Sequence, residues 1–96
     1  YIVSSSAATS LSLSSADHMK FIRSTSASGV TATMVAPVAP YGDSIVLAQT
    51  AAGVITTVGD GGLTVNIETG KTNVIDVVGK AASLISIDAT TWKLLT

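Results

Sequence analysis

Short runs of alternating apolar and polar residues, separated by clusters of Gly, Ser, Asn, Asp and Pro, fill this chain. A period of two places successive side chains on opposite faces of a strand, and no stretch carries the 3.6-residue period of a helix. Thr9 to Leu13, His18 to Arg23, Val30 to Val35, Ser44 to Gln49, Val54 to Val58, Leu63 to Ile67, Val74 to Val78 and two runs after Ala82 each read as a strand. About nine short strands at intervals of roughly 8–12 residues suit a sandwich or barrel. The expectation is therefore all-β: an antiparallel β-sandwich or jelly-roll-like barrel. Thr50 to Gly53 is expected to turn the chain so that Val54 to Val58 pairs back on the strand before it. The segment 36–43 holds both prolines and cannot be a central strand, so it reads as a crossover between two sheets.

The last fifteen residues read as the closing hairpin. Leu84, Ile85 and Ile87 form an apolar run, Asp88-Ala89-Thr90 supplies turn chemistry, and Trp92 and Leu94 share a face of the returning strand. Trp92 is the single tryptophan. Burying such a ring removes about 150–250 Å² from water, so a core is expected to pack around it. Whether Ile85 and Ile87 lie on its face depends on the turn register, which a sequence leaves open.

Ninety-six residues make one domain, 1–96, whose first eight residues are expected to be a linker or an exchanged N-terminal strand. The triplet Tyr1–Val3 suits a strand, and Ser4-Ser5-Ser6 suits a joint. The opening has no basic region before an apolar one, unlike a signal peptide, and a start at Tyr1 without methionine leads us to expect further residues upstream. A net charge of −1 gives no electrostatic reason for nucleic acid or an acidic membrane surface. Without cysteine there is no disulfide or thiolate chemistry. Charged residues make up 11% against a usual ~25%, while 47% are hydrophobic. So few charges over so apolar a chain lead us to expect partner chains on much of its surface.

Several stretches look like chemistry. Gly42-Asp43-Ser44-Ile45 resembles the nucleophile block of the GDSL hydrolases. In that family the block opens a much larger α/β domain whose Asp and His come near its end, whereas here the single histidine, His18, precedes the serine. Gly70-Lys71-Thr72 resembles the end of a P-loop, but Val65 stands where the first glycine belongs and a strand follows where a helix is needed. Gly59-Asp60-Gly61-Gly62 offers one carboxylate where calcium takes about six to eight oxygens. His18 has no second His or Cys with which to share a metal. Tyr41 and Trp92 together would suit a sugar-stacking platform. The expectation is no catalytic residue, no metal and no cofactor.

Three stretches carry a family resemblance. Asp17-His18-Met19-Lys20-Phe21-Ile22-Arg23-Ser24-Thr25-Ser26-Ala27-Ser28-Gly29-Val30-Thr31, then Gly42-Asp43-Ser44-Ile45-Val46-Leu47-Ala48-Gln49-Thr50-Ala51-Ala52-Gly53-Val54-Ile55-Thr56, then Ala81-Ala82-Ser83-Leu84-Ile85-Ser86-Ile87-Asp88-Ala89-Thr90-Thr91-Trp92-Lys93-Leu94 run in order across about residues 9 to 95. This pattern resembles a β-rich module of tailed-bacteriophage virion proteins. The resemblance implies a structural role on the virion as a head decoration (cement), tail-fibre or spike subunit. It also implies a homotrimer in contact with other capsid or tail proteins. A carbohydrate-binding module at a fibre tip, recognising a host surface glycan, is the alternative.

Overall fold

The computed structural model describes residues 1–38 and 42–96. The chain is all-β, with ten strands among the described residues: β1 (Ile2–Ser6), β2 (Ser10–Leu13), β3 (Lys20–Ser24), β4 (Val30–Met34), β5 (Ser44–Gln49), β6 (Ile55–Gly59), β7 (Thr64–Ile67), β8 (Val74–Ile75), β9 (Ala81–Asp88) and β10 (Thr91–Leu95). They form a six-stranded sheet ordered β1-β3-β5-β9-β10-β7 and a four-stranded sheet ordered β2-β4-β6-β8.

The expected antiparallel sandwich or jelly-roll barrel is not what the chain forms. From β1 to β8 successive strands alternate between the two sheets, and β1, β3 and β5 run parallel in one while β2, β4 and β6 run parallel in the other. Each pair of strands is thus one coil of a β-solenoid of about three turns. Ile2 stacks beside Lys20, and Phe21 beside Val46. The physical reason lies in the bends. Thr50 to Gly53 does not fold β6 back onto β5 but carries the chain into the other sheet, where β6 pairs with β4. The bends of successive coils then stack, as Thr25 N–H donates to the Ser6 carbonyl and Thr50 N–H to the Ser24 carbonyl. Thr50 Oγ1 reinforces the second contact at 2.6 Å. The Ser and Thr that stand in for charge therefore satisfy backbone groups at the corners, which hydroxyl side chains do well.

After the third coil the pattern changes. β9 pairs antiparallel with β5, and β10 antiparallel with β9. β7 closes the six-stranded sheet parallel to β10, and β8 closes the other sheet antiparallel to β6. The closing hairpin is as expected. Its register sets Trp92 beside Ser86 and Leu94 beside Leu84, so Leu84 and not Ile85 or Ile87 shares the Trp92 face. The core lies between the layers. Ile22, Ile45, Leu47, Ala82, Leu84, Trp92 and Leu94 from one sheet meet Leu13, Val30, Ala32, Met34, Ile55 and Ile75 from the other.

Three details refine the expectations. Ser4, Ser5 and Ser6 continue β1 alongside β3 and do not form a joint. The proline segment does connect the two sheets, leading from β4 to β5, although its residues 39–41 lie outside the described ones. The polar break before β3 contains a single turn of 3-10 helix, Ser15–Asp17, which Ser14 and Asp17 cap reciprocally.

Candidate functional site

The fold brings together the residues that resembled a nucleophile block. Ser44 opens β5, and His18 lies in the turn before β3, its neighbour strand. The Ser44 N–H donates to His18 Nδ1 at 2.9 Å, and Asp43 Oδ1 lies 3.6 Å from that same nitrogen. Ser44 Oγ hydrogen-bonds the Tyr1 hydroxyl. Met19, in the left-handed region at φ 67°, ties the strands together, since its N–H donates to the Ser44 carbonyl and its carbonyl accepts from Ile2 N–H.

This arrangement does not make a charge-relay triad. In a triad the carboxylate and the nucleophile engage opposite imidazole nitrogens, so that one orients the ring while the other gives up its proton. Here Asp43 and the Ser44 backbone both sit at Nδ1. That nitrogen accepts an amide proton, and Ser44 Oγ is engaged by Tyr1. No cavity opens over the cluster among the described residues. Together these residues form a polar clasp where β3 and β5 begin. Tyr1 is the member the sequence did not point to, because nothing local links it to Ser44.

The other motifs are turns. Leu63 N–H donates to the Asp60 carbonyl at 3.1 Å, closing a tight turn over Gly61 and Gly62. Lys71 N–H donates to the Glu68 carbonyl at 3.0 Å, with Gly70 at φ 81°, and a two-residue strand follows where a P-loop needs a helix. That turn crosses between the sheets and is not a hairpin. Among the described residues no three His, Asp or Glu side chains are grouped to hold a metal. Trp92 is fully buried, so its ring is not available to stack on a sugar. Tyr41, its proposed companion, lies outside the described residues.

Two surfaces are unusual instead. On the outer face of the six-stranded sheet, Val3, Phe21 and Val46 stand side by side across three strands. Ile85, Ile87 and Leu95 continue the apolar character over β9 and β10. Val3, Ile87 and Leu95 are 61%, 47% and 38% exposed. In the register of the sheet Ser83 stands between Val46 and Leu95, and Ile85 between Ser44 and Lys93, so apolar and small polar residues are interleaved on this face with few charges. The second surface lies at β1, the outermost described strand of the six-stranded sheet. Ile2 lies on the core side of β1, beside Lys20 and in line with Ile22, and is 70% exposed.

Comparison with known proteins gives the chain no family: no family model matches it, and no curated protein matches it.

Proposed function

We propose that this chain is a structural subunit of a bacteriophage particle, a surface module that assembles with copies of itself as a head decoration or a fibre or spike component. A homotrimer bound to neighbouring capsid or tail proteins is the form the sequence resemblance implies. The observation that supports self-assembly is the apolar outer face of the six-stranded sheet, on which Val3, Phe21, Val46, Ile85, Ile87 and Leu95 are relieved by few charges, chiefly Arg23 and Lys93. Covering such a face with a like surface removes apolar area from water, worth ~25 cal/mol per Å² before the costs of association.

The reading assigns no catalysis to the Tyr1–His18–Asp43–Ser44 cluster. Its test is to locate the chain on purified particles and to repeat this with Ser44→Ala, His18→Ala and Asp43→Asn. Incorporation is expected to survive all three changes. A hydrolytic activity that disappears with Ser44→Ala, or absence of the chain from particles, would contradict it.

A further inference from the structure

Ser44 is the first residue of β5, and two consecutive residues of the turn before β3 hold both of its backbone groups. Its carbonyl accepts from Met19 N–H at 2.8 Å, and its N–H donates to His18 Nδ1 at 2.9 Å. The residue before it is held from the other side, by β9. The Asp43 carbonyl accepts from Ser86 N–H, and Asp43 N–H donates to Ser86 Oγ, both at 2.9 Å. Ser44 N–H therefore faces the β3 side, where a parallel ladder normally supplies a backbone carbonyl, and an imidazole nitrogen stands in that place. Met19, beside it, takes the left-handed conformation at φ 67°, which is uncommon outside glycine and clusters at clamps and switch regions. The imidazole differs from a carbonyl in one respect. A carbonyl accepts at any ordinary pH, whereas an imidazole nitrogen accepts only while it carries no proton.

We infer that His18 is a proton-operated latch on the start of β5. In the neutral ring the proton sits on Nε2, and Nδ1 latches Ser44 N–H. Taking up a proton turns Nδ1 into a donor, so two N–H groups face each other and the bond to Ser44 is lost. Asp43 receives the new N–H. Its Oδ1 already lies 3.6 Å from Nδ1, and a small rotation brings the two into charge-assisted contact. The other charged and titratable groups nearby are engaged elsewhere. Asp17 and Lys20, on either side of His18 in the chain, pair with each other at 2.7 Å, and Asp17 also accepts from Ser14 N–H. The Tyr1 hydroxyl bonds Ser44 Oγ. On the far side of β5 the register places uncharged Ile85 beside Ser44, and Lys93, one strand further, reaches Asn66. Histidine suits such a role because it gains and loses its proton under mild conditions. Acid thus exchanges a stitch between turn and strand for an ion pair, and Met19 then holds Ser44 by its carbonyl.

The latch is independent of the proposed function, and its failure would leave that reading standing. The test is an acid titration of the full, nitrogen-15-labelled chain followed by NMR. With the ring neutral, a scalar coupling across the hydrogen bond should join the Ser44 amide nitrogen to His18 Nδ1. The coupling should vanish, and the Ser44 amide proton should shift, in step with protonation of the ring. In His18→Asn the side-chain oxygen takes about the place of Nδ1 but gains no proton, so the Ser44 amide should hold its position over the same range. In Asp43→Asn the ring should take up its proton at a lower pH than in the native chain, because the carboxylate that favours the charged form is gone. No coupling to the neutral ring, or a coupling that survives protonation, would overturn the latch. So would a Ser44 amide that shifts equally in His18→Asn, which traces the shift to another group. A His18 transition left in place or raised by Asp43→Asn would remove Asp43 as the receiving group.

Discussion

Trp92 is the residue on which the core depends. Its side chain is fully buried between Leu94, Leu84 and the opposite layer, yet its Nε1 finds no hydrogen-bond partner among the described residues. Truncation to alanine removes a large ring that the surroundings cannot refill, at a typical cost of ~3–5 kcal/mol. That is a large share of the roughly 5–15 kcal/mol available to a small domain. Trp92→Ala is therefore expected to leave the chain marginally folded in a denaturant titration. Trp92→Phe should cost clearly less, because it keeps most of the packing and removes an unpaired buried donor. Asp88 is a residue of a different kind. Its carboxylate accepts from Thr90 N–H at 2.8 Å and from the Thr90 hydroxyl at 3.0 Å, fixing the turn before β10. The Thr90 backbone bond first, then hydroxyl bonds from Thr90 and Thr91, hold its pKa below the ordinary carboxylate value. An unfolded chain restores the ordinary value, so this contribution is complete above that value and is lost as pH falls through the lower folded one. Asp88→Ala should thus lower the thermal midpoint at neutral pH, with the gap to the native chain closing in acid.

At the scale of elements, the bends decide the architecture. Gly53 sits where the bend of one coil crosses the bend of another. A Cβ built on it would lie 2.0 Å from the Ser28 carbonyl oxygen and 2.6 Å from that of Ser26. Backbone crowds it on that side, so Gly53→Ala must push the stacked bends apart, at about 1–3 kcal/mol by the usual cost of overpacking. Chemical denaturation would read this loss, with Gly29→Ala as control, since its added Cβ would meet nothing nearer than 3.9 Å. The same bends explain what was legible in the sequence. Most strand positions follow from alternation, and β5 was read at its observed bounds, Ser44–Gln49. The hairpin at Asp88 to Thr90 was legible because its turn chemistry is local. Pairing partners were not. A bend such as Thr50 to Gly53 has the composition of a hairpin turn whether the next strand returns beside the last or crosses to the facing layer. The difference lies in contacts between residues far apart, Ser26 with Gly53 and Ser24 with Thr50. The candidate cluster divides along the same line. Asp43 and Ser44 were visible as neighbours, while Tyr1 and His18 join them only through the stacking of β1, β3 and β5.

For the whole molecule, about three coils of solenoid are followed by a hairpin that joins the six-stranded sheet. On the outer face of the six-stranded sheet Val3, Ile87 and Leu95 are exposed. Trp92 is buried in the core, and the Ser44 N–H donates to His18 where β3 and β5 begin. The proposed self-assembly and residence on a particle amount to one claim, that the chain acts as a building block present in repeated copies. Its most direct test is quantitative mass spectrometry of purified, intact particles, counting this chain against the major capsid protein. The proposed function predicts a fixed ratio of several copies per particle, retained through washing and released together as an assembly. A chain absent from washed particles, recovered instead as a free monomer, would contradict it.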